Sequence, residues 1–468
     1  MALQFTLNGE MRQVSSVAPT MTVLDYLREY AELTGTKEGC AEGDCGACTI
    51  VLAENVDGKP SYQAVNACLL VVPQLDGKHV ITVEGLSDTD ELLDPVQDAM
   101  VKTDGTQCGF CTPGFIMALY ALRQSDEEAS DGVIHDALAG NLCRCTGYRP
   151  IVEAAREACA SAPDNTVLEA LSASSEYFEG DQSFYAPTSI AEMADVFAAN
   201  PEANLLGGGT DLGILVSKER EALATVIHTA HVAELLEIEE TDKDITFGAA
   251  VTYTEALPFI ERLYPSFATM ITRIGSRQIR NVGTIGGNVG NASPIGDTPP
   301  CLIALDATLA LYSKAGEREL PIEEFFLDYR KTDLKQGEFI KAIRIPKLSE
   351  NQEFRTYKIS KRYDQDISAV IGAYRIELDG EKVAGARIAY GGMAATPKRG
   401  VACEAALIGN SWDLATAMTM LSVVQEDYQP ISDHRATKEY RLQVAGNLFQ
   451  RLYQDLAGVE EALEVVAV

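Results

Sequence analysis

The chain has 468 residues, 46% of them hydrophobic and 23% charged, enough for a well-buried core and a length that suggests about three domains. Sixty-nine acidic residues against 38 basic ones give a formal charge of -31. Such a surface repels phosphate backbones and anionic lipid, so nucleic acid and membrane surfaces are poor partners.

The opening "MALQFTLNGEMRQV" has no basic segment leading into an apolar one, so no secretory signal is expected. No run of about 18 apolar residues is present to span a bilayer. A reducing, cytoplasmic setting follows as the expectation, and stable disulfides are not expected there. Eleven cysteines then call for metal.

"LQFTLNG" and "CTIVLAENVDGKPSYQAV" alternate apolar and polar residues around "NG" and "DG", which predicts hairpin strands. Between them, "EGCAEGDCGACTI" places Cys40, Cys45 and Cys48 at C-x4-C-x2-C, with Cys68 following in "NACLL". This is the plant-type ferredoxin spacing for a [2Fe–2S] cluster. Gly39, Gly43 and Gly46 are expected to take conformations closed to other residues, so that the loop wraps an anionic cluster. Neighbouring N–H groups can then donate to sulfur. Structural zinc more often uses two separated cysteine pairs, and fits this loop less well.

"QCGFCTPG" carries Cys108 and Cys111, and "NLCRCTGYRP" carries Cys143 and Cys145. Taken alone, two close pairs suit zinc or an iron–sulfur cluster. "TPGFIMALYALRQ" predicts a helix capped by Thr112 with Pro113 in its first turn, and Pro150 opens another. Both cysteine pairs then precede helix N-termini, where the dipole favours thiolates. Cys159, Cys301 and Cys403 are read as small buried hydrophobes.

Small and polar residues over 160–180 suggest a linker. Next, "ANLLGGGTDLGILV" is either a tight turn or a backbone that approaches a pyrophosphate. "IRNVGTIGGNVGNASPIGDTPP" forms a second polar glycine loop. Neither stretch has a P-loop lysine or the dinucleotide fingerprint. Two such loops suit a large diphosphate-containing cofactor such as FAD. Past residue 350, alternation around another "DG" predicts antiparallel strands, with helices from about 412. Five histidines supply no H-E-x-x-H pattern for hydrolytic metal chemistry.

The two cysteine motifs, in this order, resemble the iron–sulfur domain of the molybdenum hydroxylases, the xanthine dehydrogenase family. The glycine loops are similar to that family's flavin domain. The resemblance implies an α+β multidomain chain. Its parts would be a β-grasp ferredoxin-like [2Fe–2S] domain over 1–82, a helical-bundle [2Fe–2S] domain over 83–160 and a linker over 161–178. A vanillyl-alcohol-oxidase-type FAD domain over 179–347 and a flavoprotein C-terminal α+β domain over 348–468 would follow.

By this resemblance Cys40, Cys45, Cys48 and Cys68 hold one [2Fe–2S] cluster, and Cys108, Cys111, Cys143 and Cys145 hold the other. Gln107 would touch the molybdopterin of a partner chain. Leu205, Leu206, Gly207, Gly208, Gly209, Thr210, Asp211 and Leu212 would cradle the FAD diphosphate. Thr284, Gly287, Asn288, Asn291 and Asp297 would line the flavin and its ribityl and phosphate groups, with Ile340 and Lys358 as later contacts. Ile274 stands where the family often has an aromatic ring. Tyr329 is either near a nicotinamide site or an ordinary half-buried tyrosine.

No catalytic residue for hydroxylation is implied on this chain. Hypoxanthine and xanthine would be oxidised to urate at a molybdenum cofactor on a molybdopterin-binding large subunit, in a heterotetramer of two small and two large chains. Electrons would pass through the second-quartet cluster, the first-quartet cluster and FAD to NAD+. A related aldehyde or N-heterocycle hydroxylase is the alternative enzyme. A zinc-stapled assembly scaffold is the alternative outside enzymes.

Overall fold

The computed structural model describes residues 2–56, 58–87, 92–163 and 168–458. The chain divides into two compact units, Met1–Val232 with Gly275–Gly283, and Ala233–Ile274 with Thr284–Val468.

The first unit opens with a mixed sheet. β1 (Leu3–Leu7) and β2 (Glu10–Val14) form a hairpin over Asn8 and Gly9, whose φ values of 53° and 83° are those an Asn-Gly turn supplies. β3 (Thr49–Val56) pairs antiparallel with β4 (Lys59–Asn66), and β5 (His79–Ile81) lies between β1 and β3. The alternation in "LQFTL" buries Leu3, Phe5 and Leu7 on one face.

Four helices follow, Pro95–Lys102, Thr112–Arg123, Asp131–Leu138 and Arg149–Ala158. Thr112–Arg123 is buried from Gly114 onward, which makes it the centre of the bundle. Thr112 does not cap it. Cys111 occupies the N-cap and Thr112 is the first helical residue, so its hydroxyl is released to bond the Thr106 hydroxyl at 2.7 Å.

β6 (Glu176–Glu179) begins inside the stretch read as linker and pairs with β7 (Gln182–Tyr185). β8 (Asn204–Leu206) and β9 (Thr225–His228) complete a sheet of order β6-β7-β9-β8. Its apolar side chains share one core with the first sheet, Tyr177, Phe184, Leu206 and Val226 packing with Phe5 and Leu69. The returning segment carries the short helix Arg277–Arg280. Arg277 pairs with Asp136 at 2.9 Å and with Glu127 at 2.7 Å, both outside that segment.

In the second unit β10 (Ile238–Glu240), β11 (Asp244–Gly248), β12 (Thr308–Ser313), β13 (Gly316–Pro321) and β16 (Phe339–Pro346) join an antiparallel sheet of order β10-β11-β16-β12-β13. β14 (Phe326–Asp328) and β15 (Lys331–Thr332) form a small ribbon ahead of β16 (Phe339–Pro346). A meander of β17 (Gln352–Ile359), β18 (Val370–Asp379), β19 (Lys382–Gly391) and β20 (Lys398–Arg399) follows. Its "DG" turn puts Gly380 at φ +60°. Helices Val401–Leu407, Leu414–Asp427 and Lys438–Leu456 close the unit. The α+β organisation is the one the sequence implies. Among the described residues no helix is long and apolar enough to cross a membrane.

Candidate functional site

The fold brings Cys40, Cys45, Cys48 and Cys68 together. The thiols of Cys40 and Cys45 lie within hydrogen-bonding reach, as do those of Cys48 and Cys68, and Cys40 is close enough to both of the latter to feel their charge. Gly43 and Gly46 have the positive φ expected, +76° and +66°. Gly39 does not. Its requirement is space, because a Cβ there would sit 2.7 Å from Cys45 Sγ.

The loop turns its polar groups toward sulfur. The Glu42 and Asp44 amides donate to Cys40 Sγ at 3.4 and 3.3 Å, and Asn66 Nδ2 donates to Cys48 Sγ at 3.8 Å. The Cys45 bond, helped by those amides against burial, pulls the Cys40 thiol down to about 5. Thiolate is what a metal site uses, and such donors tune it.

The second quartet is organised alike. Cys108 meets Cys145, and Cys111 meets Cys143. The Thr146 amide and hydroxyl lie 3.4 and 3.2 Å from Cys143 Sγ. Tyr148 has φ +69°, and its hydroxyl accepts from the Cys143 amide at 2.9 Å. Cys108 and Cys145 are exposed, as is Gln107. Phe110, Leu142 and Tyr148 leave apolar surface uncovered in the same two segments.

Among the described residues no three His, Cys, Asp or Glu side chains surround one ion position; the thiols meet two by two. That pairing suits a group with two metal atoms and four thiolates, as a [2Fe–2S] cluster has. The residues present fit it.

One backbone hydrogen bond joins the quartets. The Leu142 amide donates to the Cys45 carbonyl at 3.0 Å, and Cys143 is the next residue. Beside it Asn141 Nδ2 donates to the Gly46 carbonyl at 3.0 Å, and Gln278 Nε2 to Asn141 Oδ1 at 2.8 Å. All of these polar side chains are buried. Sequence reasoning missed Asn66, Asn141, Thr146 and Gln278, because no local pattern marks them.

The first glycine loop runs from Leu205 and Leu206 in β8, through Gly207, Gly208, Gly209, Thr210 and Asp211, to Leu212 at the start of helix Leu212–Ser217. A Cβ on Gly208 would lie 1.7 Å from the Val282 carbonyl, and Gly209 has φ +78°. The helix leaving the loop leans on the first quartet's own backbone. A Cβ on Gly213 would lie 2.3 Å from the Leu69 carbonyl, and Ser217 Oγ donates to the Ala41 carbonyl at 2.7 Å.

In the second unit Thr284 caps helix Ile285–Gly290, its hydroxyl accepting from the Gly287 amide at 3.0 Å. Asn288 Oδ1 is buried with no hydrogen-bond partner, and Asn291 is half-buried at the helix end. An orphaned carbonyl oxygen beside glycines fits a ligand with hydrogen-bond donors, which FAD has.

Asp297 and Lys358 neutralise each other, Nζ to Oδ2 at 2.7 Å with side chains 9% and 3% exposed. Ser368 Oγ donates to the same carboxylate at 2.5 Å, and Lys358 also donates to the Arg273 carbonyl at 2.8 Å. Ile340 is buried in β16, and Ile274 is half-buried. Tyr329 is 62% exposed, so it is not the half-buried tyrosine offered as its ordinary reading.

Removing the cation of the buried pair should be costly. Lys358→Met leaves the Asp297 carboxylate buried and unpaired, an expected loss of about 3–5 kcal/mol. Urea unfolding of the second unit's transition measures it, and a loss within wild-type error would mean that solvent reaches Asp297.

Two thiol quartets and two polar glycine loops define an iron–sulfur flavoprotein. A 2Fe-2S iron-sulfur cluster binding domain matches residues 5–72, and a [2Fe-2S] binding domain matches 82–156. An FAD binding domain in molybdopterin dehydrogenase matches 177–348, and a CO dehydrogenase flavoprotein C-terminal domain matches 355–456.

The chain is 33% identical to xanthine dehydrogenase of Emericella nidulans, over 98% of its own length and 39% of that protein. It is 32% identical to xanthine dehydrogenase 1 of Arabidopsis thaliana, over 90% of its length and 37% of the relative. It thus spans less than two fifths of these relatives. Among solved structures, CO dehydrogenase from Oligotropha carboxidovorans aligns with a TM-score of 0.55 at 26% identity, over 58% of this chain and 96% of that one. Quinoline 2-oxidoreductase from Pseudomonas putida 86 aligns with the same score and identity, over 60% and 98%. The chain belongs to the molybdenum hydroxylases and carries their two [2Fe–2S] domains, FAD-binding domain and flavoprotein C-terminal domain.

Proposed function

We propose that this chain is the electron-transfer component of a xanthine dehydrogenase, working with a molybdopterin-binding large subunit in a heterotetramer of two small and two large chains. Cys40, Cys45, Cys48 and Cys68 ligate one [2Fe–2S] cluster, and Cys108, Cys111, Cys143 and Cys145 the other. Leu205–Leu212 serve FAD through backbone N–H groups, and Thr284, Gly287, Asn288 and Asn291 through polar side chains and an open backbone. Asp297 and Lys358, held by their ion pair, are further contacts of the same cofactor. The domain division 1–82, 83–160, 161–178, 179–347 and 348–468 belongs to the same reading.

The observation that carries it is the pairing of thiols in two quartets joined by the Leu142–Cys45 hydrogen bond. When bound, the clusters supply one-electron transfer and FAD the conversion to a hydride that NAD+ accepts. The protein's residues ligate, donate hydrogen bonds to sulfur and exclude water from Cys48 and Cys68, both buried. Exposed Gln107, Phe110 and Leu142 beside the second quartet support a partner docking there. The xanthine dehydrogenase relatives support hypoxanthine and xanthine as substrates.

The purified chain should be brown-red, with about four irons, four acid-labile sulfides and one FAD. By itself it should pass electrons from NADH to a dye and hydroxylate no purine. Colourless protein with stoichiometric zinc would sink this reading in favour of a zinc-stapled scaffold. A second reading, an N-heterocycle or aldehyde hydroxylase, draws on the likeness to quinoline 2-oxidoreductase; turnover of quinoline but not xanthine by the complex would select it.

A further inference from the structure

The run from Cys143 to Tyr148 closes a ring of hydrogen bonds on itself. The Cys143 amide donates to the Tyr148 hydroxyl at 2.9 Å, and the Tyr148 amide donates to Thr146 Oγ1 at 3.2 Å. Thr146 Oγ1 in turn lies 3.2 Å from Cys143 Sγ, and the Thr146 amide donates to the same sulfur at 3.4 Å. Two polar groups of one residue thus converge on one thiol.

The loop is held in this form from its far end. Tyr148 has φ +69°, a left-handed backbone that a Cβ disfavours. Its ring meets Phe115 edge-on, with centroids 6.3 Å apart, and Phe115 is fully buried in helix Thr112–Arg123. That anchor, with the bond from the Cys143 amide to its hydroxyl, fixes the Tyr148 backbone where its N–H reaches Thr146.

The direction of the contact between Thr146 and Cys143 follows from the protons available. A sulfur that ligates metal is a thiolate and has none to give. A threonine hydroxyl has one proton and two lone pairs. Thr146 Oγ1 spends a lone pair on the Tyr148 N–H, which leaves its own proton for sulfur. A donor on a ligating sulfur favours the more negative, reduced cluster and so raises its reduction potential.

We propose that the Thr146 hydroxyl donates to the Cys143 thiolate and sets the reduction potential of the cluster held by the second quartet, with Tyr148 aligning it. The proposal rests on the assignment of a [2Fe–2S] cluster to that quartet.

The test is a redox titration of the purified full chain, followed by electron paramagnetic resonance for each cluster and by absorbance for the flavin. Wild type is compared with Thr146→Val, Thr146→Ala and Thr146→Ser. Val and Ala remove the hydroxyl and keep the amide, whereas Ser keeps both. In Val and Ala the ratio of reduced to oxidised second-quartet cluster should fall about tenfold at a given potential, the scale of one hydrogen bond and about 59 mV for one electron. Ser should stay at the wild-type midpoint, and the first-quartet cluster and the flavin should keep theirs in every variant. A wild-type midpoint in Val or Ala overturns the proposal, as does a Ser variant as low as Val or an equal shift of all three centres. If Val takes up no second cluster, Ala decides against Ser. Loss of that cluster from both Val and Ala would mean that Thr146 holds the cluster rather than tunes it, which also overturns the proposal. A wild-type chain with no second [2Fe–2S] signal refutes the cluster assignment instead, and the proposal with it.

Discussion

Gly213→Val should strip the chain of FAD and of its first [2Fe–2S] cluster together, while the second cluster stays. The obstacle a side chain would meet at Gly213 is backbone. Its Cβ would lie 2.3 Å from the Leu69 carbonyl oxygen and 2.9 Å from the carbon behind it, and a peptide cannot rotate away as a side chain does. Overpacking a core against yielding neighbours costs about 1–3 kcal/mol, and a blocked carbonyl makes the high end of that range the floor here. Leu69 follows Cys68, so yielding there moves a thiol. Yielding on the other side moves the glycine loop, because the Gly213 amide donates to the Gly209 carbonyl at 2.7 Å. Iron, sulfide and flavin per chain, with electron paramagnetic resonance to tell the clusters apart, measure the outcome. A folded Gly213→Val chain with a full complement of all three would mean that the helix shifts freely.

Cys45→Ser separates chemistry from packing more cleanly. Serine keeps the backbone, so the Cys45 carbonyl can still accept the Leu142 amide and the second quartet keeps its own loop. What is lost is one thiolate of the first quartet, a soft ligand for which an alcohol is a poor replacement. In the complex with the molybdopterin subunit, xanthine should still reduce the partner, but flavin reduction should fall to background. NADH-to-dye transfer should stay near wild type, since it does not cross the first cluster. Stopped-flow spectra follow both. Flavin reduction by xanthine at the wild-type rate would show that the order of centres is wrong.

Spacing made Cys40, Cys45 and Cys48 legible, because a loop that must wrap a cluster leaves its mark within a dozen residues; the two pairs of the second quartet lie over 30 residues apart, and only the family resemblance joined them. Asn8 and Gly9 were legible for the same reason, their turn being purely local. Thr112 misled, since a threonine before an apolar stripe is a capping signal, yet Cys111 takes the cap position as the loop enters the helix. Gly39 misled differently: the sequence cannot distinguish a glycine needed for its φ from one needed for room beside Cys45. Asn141 and Gln278 were invisible. Each acquires its role only when segments far apart meet, Gln278 bonding a residue 137 positions away.

Residues 275–283 belong to the first unit although the chain on either side of them belongs to the second. The polypeptide therefore passes from one unit to the other three times, and no single cut can release the first unit whole. Pulling apart the two pieces made by a cut after Val232 would strip Asn141 and Thr49 of the amide of Gln278, which is fully buried, and Asp136 of Arg277. A protease nick at that point should accordingly yield two pieces that travel together in native gel filtration and part only in denaturant. The same weave means that the N-terminal 232 residues, made during synthesis before Gly275 emerges, wait for a later stretch of chain to complete their core.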